Sequence, residues 1–178
     1  MAAKTSSALR AKLARVKLFL CDVDGVLTDA SVFVGATLEL KRFDIQDGLG
    51  LVTLRREGIQ VGWISSRPSS ATTQRAEDLK IDFLRQEKGG KVAIVEQILA
   101  QTGLGWEAVC YMGDDIVDLG VLKRAGVAVA VANGVAETKA LADYVTQAAG
   151  GHGAVREVVE LILKAQKKWA RVVAQHMA

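Results

Sequence analysis

The chain has 178 residues, of which 50% are hydrophobic and 24% charged, and its formal net charge is +3. This length suits one domain with a sizeable core, and so small a positive charge argues against a nucleic-acid-binding protein. No apolar run is long enough to span a membrane, and Cys21 and Cys110, which lie in apolar runs without CxxC spacing, indicate buried thiols in a cytoplasmic protein.

Short apolar strands alternate with longer amphipathic helices along the chain. After an N-terminal helix (SSALRAKLARVK), strands are predicted at 16–21, 60–64, 83–84, 108–112, 127–131 and 144–145. Helices are predicted at about 47–57, 69–80, 90–101, 115–124, 135–142 and 153–170. This alternation predicts an α/β fold, a three-layer Rossmann-like parallel sheet with helices on both faces.

Residues 30–43 (ASVFVGATLELKRF) interrupt the alternation. They read as two short strands around Gly35, Ala36 and Thr37, which predicts an inserted β-hairpin instead of a crossover. The sequence contains a single proline, and no repeat or low-complexity segment marks a linker. We therefore expect one domain over 1–178, with a small projecting hairpin and no separate cap domain.

Polar residues follow four of the predicted strands. In open parallel sheets, ligands bind outside the carboxyl ends of the strands, so these residues are expected to meet. In strand order they are Asp22 and Asp24; Ser65, Ser66 and Arg67; Lys88 and Lys91; and Asp114, Asp115 and Asp118.

The acids in this set suggest a metal site. Carboxylates held close together repel one another, and a divalent cation removes the repulsion. Mg²⁺ prefers hard oxygen ligands and needs only a few carboxylates, which Asp22, Asp24 and Asp114 could supply. A lysine nearby would balance charge and bind phosphate, and the Ser65 hydroxyl could donate to a phosphoryl oxygen.

The two aspartates after the first strand suit two catalytic roles. Asp22 could attack phosphorus to form an aspartyl-phosphate, while Asp24 protonates the leaving oxygen and later deprotonates water. Alternate residues of an extended chain point to opposite sides, so the chain must bend to bring both carboxylates to one centre. Gly25 permits that bend.

The motif DVDGVLTD, at 22–29, resembles the first motif of the haloacid dehalogenase superfamily of phosphohydrolases. Ser65, Lys91 and GDDIVD, at 113–118, match the next three motifs in order, and the family spacing favours Lys91 over Lys88 as the lysine. The match runs from about residue 17 to 166. Within the superfamily, the small hairpin and the segment AGGHGAVREV resemble the 3-deoxy-D-manno-octulosonate 8-phosphate (KDO 8-phosphate) phosphatases.

This resemblance implies a Mg²⁺ ion bound by the side chains of Asp22 and Asp114 and the backbone carbonyl of Asp24. Asp115 and Asp118 would support the site without being its main ligands. It also implies hydrolysis of KDO 8-phosphate in lipopolysaccharide biosynthesis, and a homotetramer assembled through the hairpins. The substrate-binding positions implied by the family are Asp44, Gln46, Asp47, Gly48, Arg67 and Arg75.

Of two departures from the family pattern, the first bears on the local turn at Ser66 and the second on the predicted substrate. The second motif usually reads Thr-Gly-Arg and here reads Ser65-Ser66-Arg67, and Val52 stands where some members carry an arginine. Arg67 favours the eight-carbon sugar over a nine-carbon ketosugar phosphate of the KDN 9-phosphate type. A non-enzymatic phosphoacceptor resembling a response-regulator receiver and a phosphatase-like accessory subunit are the alternative hypotheses.

Overall fold

A computed structural model describes residues 6–35 and 39–177. Six strands form one parallel sheet in the order β5-β4-β1-β6-β7-β8, and β2 and β3 form a separate antiparallel pair. The strands are β1 (Leu18–Cys21), β2 (Phe33–Val34), β3 (Glu39–Leu40), β4 (Gln60–Ser65), β5 (Phe83–Gln86), β6 (Val109–Gly113), β7 (Val127–Ala130) and β8 (Tyr144–Val145). The predicted parallel sheet and hairpin are thus confirmed.

Helices cover both faces of the sheet. They are α1 (Ser7–Leu13), α2 (Ile45–Arg56), α3 (Ser70–Asp78), α4 (Lys91–Thr102), α5 (Leu119–Leu122), α6 (Ala136–Leu141), α7 (Ala154–Ala165) and α8 (Trp169–Gln175), with 3₁₀ turns at Trp106–Ala108 and Ile116–Asp118. None of the helices described is long and apolar enough to cross a membrane.

The central strand β1 shows how the sequence builds the three layers. All four of its residues are buried, as expected for a parallel strand covered on both faces. Phe19 and Cys21 join the core beneath α1, α2 and α7, whereas Leu18 and Leu20 join the core beneath α4 and α5. The alternation of strand side chains therefore divides the apolar core between the two faces.

Two predicted helices differ from the structure. The helix predicted at 153–170 is two helices, because α7 ends at Ala165, Lys167 has a left-handed φ of 59° and α8 begins at Trp169. The helix predicted at 115–124 is a 3₁₀ turn followed by the single turn of α5. Asp118 ends that 3₁₀ turn, and its carboxylate is buried, which a regular helix pattern does not reveal.

The hairpin projects from the loop that follows β1. Its register pairs Phe33 with Leu40 and Val34 with Glu39. The predicted turn residues Ala36 and Thr37 lie outside the described residues. Phe33 is 64% exposed and Val34 75% exposed, so the hairpin carries apolar surface that the described part of the chain leaves uncovered.

Candidate active site

A cavity of about 310 Å³ opens at the carboxyl ends of β1, β4 and β6, where the sequence predicts the site. Because the strands are parallel, the residues that follow them meet at one edge of the sheet. The residues lining the cavity are Asp22, Asp24, Ala30, Val32, Ser65, Ser66, Arg67, Lys91, Asp114, Asp115 and Val117.

Asp22 is fixed at the floor of this cavity. Its backbone N–H continues the ladder of β1 by donating to the Met112 carbonyl at 3.0 Å. The N–H of Val23 donates to Asp22 Oδ1 at 2.7 Å, and Lys91 Nζ lies 2.9 Å from Oδ2. Burial raises the pKa of Asp22 to about 6, although the Lys91 ammonium opposes that rise.

The turn at Asp24 and Gly25 brings the loop against the acid of β6. Gly25 has a φ of 96°, which a residue with a side chain rarely adopts. A Cβ atom added there would lie 2.0 Å from Asp114 Oδ2. Gly25 therefore serves two purposes, since it permits the bend and leaves room for the Asp114 carboxylate.

Asp114 is held by its backbone while its carboxylate faces the cavity. Its carbonyl accepts from the N–H of Val135 at 2.8 Å, and its N–H donates to Asp118 Oδ2 at 3.1 Å. The buried Oδ1 atom has no hydrogen-bond partner among the described residues. Burial raises the pKa of Asp114 to about 7, and the carboxylates of Asp22 and Asp118 add to this rise.

Lys91 lies at the start of α4 and is buried between two carboxylates. Its Nζ is 2.9 Å from Asp22 Oδ2 and 2.7 Å from Asp118 Oδ1. Burial alone would lower the pKa of Lys91, but the two carboxylates outweigh it and raise the pKa. Lys88 is exposed, so Lys91 is the lysine that the fold brings to the acids.

Asp118 lies beneath the acids at the end of the 3₁₀ turn, and its carboxylate is buried. Oδ1 accepts from Lys91 and, at 2.6 Å, from the hydroxyl of Tyr111, while Oδ2 accepts the N–H groups of Asp114 and Asp115. Both oxygens are therefore already engaged. Asp115 is exposed, and its carboxylate accepts the N–H of Ile116 at the start of the 3₁₀ turn.

The acids fit a divalent cation. One oxygen from each of Asp22, Asp114 and Asp118 lies within 4.8 Å of the others. Asp118 is already engaged by four donors, which leaves Asp22 and Asp114 as the side chains that could bind a metal directly. The partnerless Asp114 Oδ1 and the raised pKa values of both acids are consistent with a site that needs positive charge.

Ser65 ends β4 at the cavity wall, and Arg67 follows it in the next loop. Ser65 Oγ accepts the N–H of Arg67 at 3.0 Å and lies 3.1 Å from the Arg67 carbonyl, to which it donates. These contacts hold the buried hydroxyl in the local turn despite the serine at position 66. The side chain of Arg67 is 42% exposed, so its guanidinium remains accessible at the cavity.

The other predicted substrate residues lie apart from the acids. Asp44, Asp47, Gly48 and Arg75 line a separate small cavity, and Gln46 is exposed on α2. Asp44 caps α2 by accepting the N–H of Gln46 at 2.6 Å. Within one chain, Arg67 is thus the predicted substrate-binding residue that reaches the cavity of the acids.

Asp47 is engaged in holding α7. Its carboxylate accepts the N–H groups of Gly153 at 3.3 Å and Arg156 at 2.7 Å, which is how an acid stabilises a helix N-terminus. Burial raises the pKa of Asp47 to about 6. Arg75 packs over the backbone of Gly48, where an added Cβ would lie 2.6 Å from Arg75 Nη2.

Glu39 in β3 and Lys41 just after it contact residues that line the cavity, and the motif-based prediction misses both. Glu39 accepts from Arg67 at 2.7 and 3.2 Å and from Ser69 Oγ at 2.7 Å. Lys41 contacts the carboxylate of Asp24. Two residues apart in an extended segment, they share one face, and that spacing is the sequence signal that could have found them.

Comparisons with known proteins identify the family of the chain. The family model described as haloacid dehalogenase-like hydrolase matches residues 67–158. The chain is 38% identical over 164 residues to the 3-deoxy-D-manno-octulosonate 8-phosphate phosphatase KdsC of Escherichia coli (strain B / BL21-DE3), covering 92% of this chain and 87% of that protein.

Two solved structures extend the comparison. The crystal structure of 3-deoxy-D-manno-octulosonate 8-phosphate phosphatase from Moraxella catarrhalis in complex with a magnesium ion, a phosphate ion and KDO has a TM-score of 0.92 and 38% identity, covering 94% of this chain and 97% of that one. The cobalt-bound enzyme from Haemophilus influenzae has a TM-score of 0.85 and 38% identity, covering 88% and 92%.

Proposed function

The chain belongs to the haloacid dehalogenase-like hydrolases, and we propose that it is a magnesium-dependent phosphatase that hydrolyses KDO 8-phosphate to KDO and phosphate, in lipopolysaccharide biosynthesis. The observation that carries the proposal is the meeting of Asp22, Lys91 and Asp114 at one cavity. Relatives named for this reaction cover most of the chain, and one solved relative contains magnesium, phosphate and KDO.

Asp22 and Asp114 would hold Mg²⁺ by their side chains, with the Asp24 carbonyl as the third protein ligand. When bound, the ion supplies positive charge that draws a phosphoryl oxygen and neutralises the acids. Lys91 adds a fixed positive charge beside Asp22, at 2.9 Å. Such preorganised charge stabilises the negative charge that accumulates as the phosphoryl group is transferred.

In the first step, a carboxylate oxygen of Asp22 attacks phosphorus and the bond from phosphorus to the sugar oxygen breaks. Asp24 gives its proton to that leaving oxygen, so KDO departs as the alcohol. Val23 N–H and Lys91 Nζ each contact a different oxygen of Asp22, which fixes the orientation of the nucleophile before the attack.

In the second step, water attacks the aspartyl-phosphate and Asp24 takes the proton of that water. The bond between Asp22 and phosphorus breaks, which restores the carboxylate and releases phosphate. Ser65, whose buried hydroxyl lies at the end of β4, would turn its one proton from the Arg67 carbonyl to a phosphoryl oxygen in both steps.

Arg67 would recognise the carboxylate of the ketosugar acid. A guanidinium fork matches a carboxylate through two parallel hydrogen bonds, and Arg67 already binds one carboxylate, that of Glu39, in this way. This contact favours an acidic sugar phosphate over a neutral one. The remaining predicted substrate residues, Asp44, Gln46, Asp47, Gly48 and Arg75, would have to act from their separate position around α2.

We expect a homotetramer assembled through the hairpin. Apolar side chains that cluster on an exposed surface are typical of an interface. On the strand pair β2 and β3 they include Phe33, Val34 and Leu40. A neighbouring hairpin would also cover the cavity, to which Val32 contributes. Light scattering of the wild type and of Phe33→Ser/Val34→Ser tests this, since only the wild type should be tetrameric.

We also expect the protein to work in the cytoplasm. Cys21 and Cys110 are both free and buried, and burial raises the pKa of both thiols. Unreactive, unpaired thiols fit a reducing compartment.

Phosphate release from KDO 8-phosphate and from a nine-carbon ketosugar phosphate, with and without Mg²⁺, tests the function. Magnesium-dependent release with preference for the eight-carbon substrate is expected. Asp22→Asn should abolish turnover with an unchanged circular dichroism spectrum, because it removes the nucleophile and little volume. No release from either substrate by the wild type would refute the proposal.

A further inference from the structure

We propose that Lys41 is a positioning residue that orients the carboxylate of Asp24 for both proton transfers. The inference deepens the proposed function and rests on it, since it takes Asp24 to be the proton carrier. Lys41 lies just after β3, outside the four motifs that carry the family resemblance.

The ammonium group of Lys41 contacts three oxygens, two of them through hydrogen bonds. Nζ lies 2.7 Å from Asp24 Oδ1 and 3.0 Å from Asp24 Oδ2, and it donates to Thr72 Oγ1 at 3.2 Å. An ammonium donates hydrogen bonds and accepts none, so the ion pair with Asp24 and the bond to Thr72 both fix its position. Thr72 is buried in α3, which anchors Lys41 to the body of the protein.

The burial of Lys41 shows that the contact is built into the fold. Its side chain is fully covered, whereas the side chain of Asp24 is 27% exposed. Lysine is almost never fully buried unless it is paired, and Asp24 is its ion-pair partner here. The more exposed carboxylate at the cavity is therefore held by a covered cation behind it.

This arrangement determines where the Asp24 carboxylate can point. Both of its oxygens are tethered by one Nζ atom, which restricts rotation of the side chain. Proton transfer requires the carrier to lie within hydrogen-bond reach of the reacting oxygen, and small misplacement is costly. Without Lys41, the partly exposed carboxylate would be free to turn towards water.

The substitution Lys41→Met tests this role, because it keeps an unbranched stem and removes the ammonium. With KDO 8-phosphate, kcat should fall about 100-fold with little change in KM, the expected cost of a misplaced catalytic group. Thr72→Val keeps Lys41 but removes its anchor, and it should lower kcat about threefold to tenfold. Lys12→Met is the matched control, since it removes an exposed 2.6 Å ion pair with Asp143.

A second substrate separates positioning from loss of structure. The leaving group of p-nitrophenyl phosphate needs no proton, so attack by Asp22 should remain fast in Lys41→Met. Asp24 must still take a proton from water in the second step, so the aspartyl-phosphate should accumulate. The expected signature is a burst of one nitrophenolate per active site, with a covalent phosphate on the acid-quenched protein.

The outcomes separate the two proposals. A wild type that hydrolyses p-nitrophenyl phosphate but not KDO 8-phosphate refutes the proposed substrate, and the burst still tests Lys41. A Lys41→Met enzyme with wild-type kcat refutes the positioning role. The positioning role is also refuted if Lys41→Met turns over neither substrate, shows no burst and is no longer stabilised by added Mg²⁺. That result would mean that the whole site has collapsed. Thr72→Val with unchanged kcat also counts against the positioning role.

Discussion

Glu39 and Arg67 form a two-point ion pair at the edge of the cavity, with Oε2 2.7 Å from Nη2 and Oε1 3.2 Å from Nη1. The hydroxyl of Ser69 donates to the same carboxylate at 2.7 Å and is the main reason that the pKa of Glu39 is lowered. A carboxylate of this chain thus holds the arginine fork that we assign to the carboxylate of the substrate.

The substitution Glu39→Gln should therefore strengthen substrate binding. It removes the competing negative charge, and we expect KM for KDO 8-phosphate to fall about threefold to tenfold. Because p-nitrophenyl phosphate has no carboxylate, its KM should stay the same. Steady-state kinetics with both substrates measures the difference.

Glu160→Gln is the matched control for this prediction. Glu160 is also paired with basic residues, Arg156 at 3.0 Å and Lys164 at 2.7 Å, but it lies on α7 and does not line the cavity. KM should not change in this variant. A higher KM for KDO 8-phosphate in Glu39→Gln would mean that Glu39 helps Arg67 to bind substrate, which contradicts the prediction.

Replacing Lys91 should affect stability as well as activity. Lys91→Met leaves the buried carboxylates of Asp22 and Asp118 without the ammonium that lies between them. Removing one partner of a buried ion pair typically costs about 3–5 kcal/mol. We expect a loss of that order in the free energy of unfolding, measured by urea denaturation without Mg²⁺, and no detectable phosphatase activity.

Lys88→Met controls for the loss of a positive charge near the start of α4. Lys88 is exposed, and no ion pair joins it to the acids among the described residues. Stability and kcat should both stay close to wild type. If Lys88→Met and Lys91→Met lost activity equally, the choice of Lys91 as the lysine of the site would be wrong.

The stability of the metal-free protein should depend on pH in a definite direction. Asp22, Asp47 and Asp114 have pKa values of about 6, 6 and 7, against 3.8 for an ordinary aspartate. A carboxyl with a raised pKa holds its proton more firmly in the folded chain. The free energy of unfolding should therefore fall as the pH rises from about 4 towards 7.

Magnesium should reverse much of this fall, because it stabilises the ionised forms of Asp22 and Asp114. Thermal melting with and without MgCl₂ at pH 5 and pH 8 measures the effect, and the rise in Tm should be larger at pH 8. Asp114→Asn should melt with little dependence on Mg²⁺. An equal rise in Tm for that variant and the wild type would remove Asp114 from the ligand set.

The sequence predicts the parts of the fold and site that depend on local pattern. The run LFLC is apolar throughout, which is typical of a strand buried on both faces, and parallel topology brings the residues after each strand together. Asp22, Asp114 and Lys91 meet for that reason. The order of the acidic and lysine motifs along the chain predicts a phosphohydrolase.

Features that depend on where a flexible side chain lands could not be predicted in this way. The spacing of Glu39 and Lys41 places them on one face but does not show that Lys41 contacts Asp24. Nothing local shows that the carboxylate of Asp47 accepts from the first turn of α7. The end of α7 was missed for a similar reason. The chain continues with helix-forming residues after α7. The left-handed residue that separates α7 from α8 is Lys167, so no glycine in the sequence marks the break.

Gly25 offers a test of how closely the first loop must approach the acid of β6. Gly25→Ala places a Cβ at a φ of 96° and 2.0 Å from Asp114 Oδ2, so either the loop or the carboxylate must move. We expect the increase in Tm caused by Mg²⁺ to disappear and kcat to fall at least about 100-fold, because the carboxylates of Asp22 and Asp114 no longer meet.

Gly58→Ala separates the effect of the steric clash with Asp114 from the effect of backbone strain. Gly58 has a similar φ of 82°, and an added Cβ there would have no neighbour within 4 Å. It should therefore show only the strain of a left-handed alanine, of about 1 kcal/mol, with normal Mg²⁺ stabilisation and kcat. If the two variants lost activity to the same extent, backbone strain would explain the loss, and the contact between the turn and Asp114 would not be needed for the site.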